Sequence, residues 1–232
     1  MKKIVFILLV IFSMSYVMQS CIRDSILTND TEKLTVIKFD FKKYNDLNQQ
    51  FHAQGFKFTN FIEFQQNFTQ FANNYYKANE GYKEITEEQW EEIRSYLNKL
   101  GFFDTNPDIN IIQNNYFKFL VENNIISQST YTFITNTIPD FTNINSNLTL
   151  LINDYKNNNI LSDTETIILD NLAYWADSVN NKSVLCNVGC NVWGGLWGLG
   201  ASAIAGPWAG LAVGIYAGTT RGAVCEYYEN NY

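Results

Sequence analysis

The chain has 232 residues, enough for one or two domains, with an ordinary apolar fraction of 46% and a low charged fraction of 17%. A net charge of −7 with no Lys/Arg cluster argues against nucleic acid as a partner, because phosphate neutralisation needs clustered cations. It also leaves no polybasic attraction to anionic lipid, so any membrane contact must be apolar or covalent.

Met1-Lys2-Lys3 is a basic start, and Ile4 to Met18 is a mostly apolar run broken only by Ser13 and Ser15. The run is short for a membrane span and suits the apolar region of a signal peptide over residues 1–20. It ends in Met18-Gln19-Ser20-Cys21, which resembles the cleavage box of bacterial lipoproteins. The resemblance implies that Cys21 becomes the first mature residue and carries lipid, tethered to the cell membrane or outer membrane. An ordinary secretory signal with an incidental Cys is the alternative, and both readings send the chain out of the cytoplasm. Residues 21–44 read as a tether followed by a short strand, because Ile37, Phe39 and Phe41 alternate with Lys38, Asp40 and Lys42.

A helical domain is expected over 45–182. Phe61, Phe64, Phe68, Phe71 and Tyr75 are spaced 3, 4, 3, 4 and form one aromatic face. Helix starts repeat in form at Ile85-Thr86, Ile126-Ser127 and Leu161-Ser162, each an apolar residue followed by a hydroxyl N-cap. Thr86 with Gln89 and Ser162 with Glu165 make capping boxes; the middle start has Thr130 where Glu or Gln belongs, so its cap is weaker. The following faces, Trp90 to Leu100, Ile112 to Phe119, Tyr131 to Ile138, Ile144 to Tyr155 and Ile168 to Val179, are also helical in period. The fold class expected is all-α: a bundle or array of five or six amphipathic helices, followed by a helical hairpin over 183–232.

That hairpin is the most distinctive stretch. Ser183 to Thr220, 38 residues, carries no charged side chain. Small residues recur every four positions at Gly194, Gly198, Ser202, Gly206, Gly210, Gly214, Gly218 and Gly222. Residues four apart share a helix face, so the pattern makes a groove where another backbone approaches closely. Gly206-Pro207 is the natural break, predicting helices at about 189–205 and 207–224. Folding there brings Cys225 opposite the stretch between Cys186 and Cys190, and a disulfide from Cys225 to either would close the hairpin. The tail either inserts into a membrane or self-associates, or it packs against the body.

Catalytic and metal signals are weak. The single His52, beside Phe51, reads as a structural residue, and no nucleophile elbow or phosphate loop is present. Asp104 to Asn110 has spaced oxygens, but Ile109 stands where a calcium loop needs Gly, so it reads as a turn. No catalytic residue, metal site or cofactor is expected.

Cys186-Asn187-Val188-Gly189-Cys190-Asn191-Val192-Trp193-Gly194-Gly195 and the Gly/Ala run after it resemble the Gly-rich, Cys-bracketed peptides of halocin-like and class II bacteriocins. The resemblance implies disturbance of target membranes. The expected function is a non-enzymatic envelope lipoprotein presenting a membrane-active hairpin. The alternative is a structural, partner-binding or immunity-type lipoprotein whose tail closes its own core.

Overall fold

In a computed structural model of the chain, residues 34–76, 83–105, 107–141, 145–180 and 185–220 are described. Thr35–Tyr232 forms one compact unit, distinct from Met1–Leu34. The expected signal peptide, Cys21, Gly222 and Cys225 lie outside the described residues. So do the side chains of Cys186 and Cys190, which leaves the disulfide pairing outside as well. The described residues hold nine helices and no strand. The protein is an all-α bundle.

The first helix, α1 (Phe41–Ala53), replaces the expected strand. Asp40 caps it by accepting from the Lys43 backbone N–H, and Tyr44, Leu47, Asn48 and Phe51 form its buried face. The alternation before it has a different cause from sheet pairing. Phe39 and Phe41 lie partly buried on the glycines of a later helix, Gly198 and Gly195. Residues 34–40 form no strand.

The aromatic face of α2 (Phe61–Tyr76) is buried at Phe61, Phe64, Phe68 and Phe71. Burial of each such ring contributes roughly 2–3 kcal/mol. In α3 (Glu87–Leu100) the Thr86/Gln89 capping box is complete, and Gly101, at φ +92°, ends the helix in the left-handed region. Asp108 caps α4 (Ile109–Glu122) through the Asn110 N–H, the turn chemistry expected of that segment. Ser127 caps α5 (Gln128–Thr137), and Ser162 with Glu165 forms the capping box of α7 (Asp163–Asn180). Between them, α6 (Leu148–Asn158) has no side-chain cap and buries only Leu148 and Ile152.

The tail folds into α8 (Leu185–Ala205) and α9 (Pro207–Thr220), broken at Gly206 as its Gly-Pro pair predicts. These two helices are the middle of the bundle. Helices α1, α2, α3, α4 and α7 all pack against them, whereas α5 packs on α4 and α6 on α7. The hairpin is therefore the internal core of the body, not an appendage to it.

Candidate functional site

The hairpin and the seam around it are the part of the molecule built from unusual chemistry. At the turn, Gly206 has φ +88°, which a side chain would strain, and Pro207 opens α9 where no backbone donor is needed. The arms then meet along the every-four row. A Cβ on Gly198 would stand 2.5 Å from the Gly210 carbonyl oxygen. One on Gly194 would stand 2.7 Å from the Gly214 oxygen and 3.2 Å from Gly218 Cα. One on Gly210 would run into Ser202 Oγ, whose hydroxyl donates back to Gly198 O at 3.0 Å. The zipper thus joins Gly194, Gly198 and Ser202 to Gly210, Gly214 and Gly218. Gly206, in the same sequence row, serves the turn instead: a Cβ there has only Gln89 Nε2 within 4 Å, at 3.9 Å.

Two further glycines, Gly195 and Gly200, face the body. A Cβ on Gly195 would press on the Phe41 ring at 2.6 Å, and one on Gly200 would lie 3.0 Å from Tyr116 Cε2 and run into Tyr96 Oη. Tyr44 lies across both arms, against Gly194 and Gly214. The sequence row hid these contacts because their partners lie about 80 to 170 residues away in the chain.

Five polar ties hold the hairpin to the body. Asn48 Nδ2 donates to Asn191 Oδ1 at 2.8 Å, and Gln89 Nε2 to Ala205 O at 2.8 Å. Tyr96 Oη donates to Trp197 O at 2.9 Å, and Tyr44 Oη to Gly214 O at 3.4 Å. His52 Nε2 and Thr219 Oγ1 lie 3.1 Å apart, and Thr219 already donates to Ile215 O, so the neutral ring fits as donor. Burial pushes the Tyr44, Tyr96 and Tyr116 phenols up, with Tyr116 adding to the effect on Tyr96. Burial also holds the His52 imidazole below its ordinary value.

The same seam carries unpaired groups. Gln113 Oε1, Tyr116 Oη, Trp193 Nε1 and Trp197 Nε1 are buried with no hydrogen-bond partner among the described residues. Trp193 and Trp197 stack obliquely with ring centroids 5.8 Å apart, against Phe117 and Phe102 of the body. Each unpaired group costs roughly 1–3 kcal/mol. The body's grip on the hairpin therefore combines apolar contact with these five polar ties, and the unpaired groups weaken it.

The buried acid Glu165 is taken up by helix caps, and the described residues contain no group of three His, Cys, Asp or Glu placed to hold a metal. A shallow cleft of about 400 Å³ beside Ile138 and Pro139 has no ionisable group in its lining. Among the described residues no helix is long and apolar enough to cross a membrane. Comparison with protein-family models, with curated proteins and with solved structures finds no match.

Proposed function

We propose that the protein is a non-enzymatic, lipid-anchored envelope protein that keeps a membrane-active hairpin sheathed inside its own bundle. The observation that carries this reading is α9, whose residues Ala209 to Gly218 are buried without interruption. A helix apolar around its whole circumference needs either a protein sheath or lipid. The hairpin is also a unit in its own right, because its closest backbone contacts are between its two arms. The body meets it through side chains, and amphipathic helices that cover an apolar hairpin in water have their apolar faces ready to meet lipid once it leaves. The orphaned Trp193 and Trp197 N–H groups would find acceptors at a membrane interface, where Trp is favoured.

A second reading rests on the packing of five body helices against the hairpin: the tail is a core element only, and the helical surface binds a protein partner. Dye release from phosphatidylcholine vesicles separates the two. The chain from residue 22 onward is compared with an oxidised peptide spanning Ser183 to Tyr232. Release by the peptide at lower concentration than by the chain, abolished by Gly210→Leu with Gly214→Leu, supports a sheathed membrane-active hairpin. No release by either assigns the tail to the core alone.

A further inference from the structure

We infer that the turn of the hairpin is the surface by which the folded protein first touches a bilayer, with zwitterionic phospholipid as its partner. The inference extends the sheathed-hairpin reading, naming where lipid contact begins. The facing sides of the hairpin's arms are buried, but its turn is partly exposed. Ile204 is 38% exposed, Pro207 is exposed, and Ala203 and Trp208 are half-buried. A cleft of about 320 Å³ opens between this turn and the start of α3, and among the described residues the body does not close over it.

The chemistry of the turn suits a lipid interface. Nothing from Ser183 to Thr220 is charged, so the exposed turn is continuous with an apolar interior. Trp208 carries the Lys43 ammonium 4.0 Å over its ring, a pairing of amphipathic side chains that suits the headgroup layer. The local charges do not attract anions: Lys83 at the cleft and Lys43 on Trp208 are outnumbered by Glu84, Glu87 and Glu88 at the start of α3, a net −1. That selects zwitterionic over anionic lipid. A protein partner fits less well, because a stable interface takes roughly 20–30 residues a side. A wedge of four residues is small for that and adequate for a headgroup layer.

The test is flotation of the chain from residue 22 onward, free of any acyl group, with phosphatidylcholine vesicles. Ile204→Glu is compared with Ile160→Glu, which changes a fully exposed Ile away from the hairpin. Thermal melts confirm that both variants fold, and Trp208→Ser provides a second probe of the turn. The expected result is partitioning weakened roughly tenfold by Ile204→Glu and unchanged by Ile160→Glu. Equal flotation of wild type and Ile204→Glu, or no flotation of the wild type, overturns the inference. A chain that floats by its turn while neither it nor the tail peptide releases dye sinks the membrane-active reading and keeps this one.

Discussion

Glu165 completes the capping box of Ser127, 38 residues earlier in the chain. Its Oε1 accepts the Ser127 backbone N–H at 2.9 Å and the Ser127 hydroxyl at 2.6 Å. Its Oε2 accepts the Ser162 N–H at 2.8 Å and the Ser162 hydroxyl at 2.9 Å. One carboxylate therefore closes the N-termini of both α5 and α7. The helix start that lacks its own Glu borrows one.

Burial pushes the Glu165 carboxyl up, but the Ser127 and Ser162 hydrogen bonds outweigh it and hold the group below its ordinary value of 4.5. A lowered folded value contributes stability that is fully present above pH 4.5 and is lost as pH falls through the folded value. Glu165→Ala is expected to cost about 2–3 kcal/mol at neutral pH, since two caps are lost at once. Urea melts across pH should show the gap between wild type and variant closing below the carboxylate range. A gap independent of pH would mean that packing, not charge, makes the link. His52 acts in a higher window: its lowered value withdraws stability as pH falls from 6.5, and its exposure keeps that share small.

Gly210→Ala should destabilise the protein by about 1–3 kcal/mol or more, because its methyl group has Ser202 Oγ and the Gly198 carbonyl in its way. Adding Ser202→Gly removes the first obstacle and leaves the second, so the double variant recovers part of the loss. Denaturant melts of the four chains give the coupling directly. Additive effects would show that the arms do not meet along this row.

The two buried tyrosines beside Gly200 should respond oppositely to loss of their hydroxyls. Tyr96→Phe breaks the bond to Trp197 O and is expected to cost about 1–2 kcal/mol. Tyr116→Phe removes an unpaired buried hydroxyl and should be neutral or stabilising. Equal losses in urea titration would indicate that Tyr116 Oη has a partner.

Deleting residues 183–232 should abolish cooperative unfolding, because α1, α2, α3, α4 and α7 lose the surface that they share. Near-ultraviolet circular dichroism through a thermal scan reads this. A sharp transition in the truncated chain would show that the body has a core of its own.

Much of this was legible in the sequence. The Phe61-to-Tyr75 stripe, the Thr86 and Ser162 boxes and the Gly206-Pro207 break are local signals, each decided within a single helix or turn. The helix α1 was missed because its face mixes Tyr44, Leu47 and Phe51 with a buried Asn48, and the alternation at Ile37 to Phe41 pointed to a strand. The assignment of each glycine to the partner arm or to the body depends on rings from Phe41, Tyr44, Tyr96 and Tyr116. Periodicity within the tail carries no record of them. The second half of the Glu165 link was invisible for the same reason.

The position of the hairpin in the chain order has a consequence for biosynthesis. Chains emerge amino terminus first and fold as segments become available. Here the segment that fills the middle, α8 and α9, emerges after every helix that packs on it. The aromatic face of α2 can meet Phe51 of α1 and Trp90 of α3 earlier, but the contacts of α2, α3 and α4 with the hairpin wait for it. Until then the body lacks the surface that five of its helices share. The body therefore reaches its final packing only once α8 and α9 have emerged and taken their place among the earlier helices.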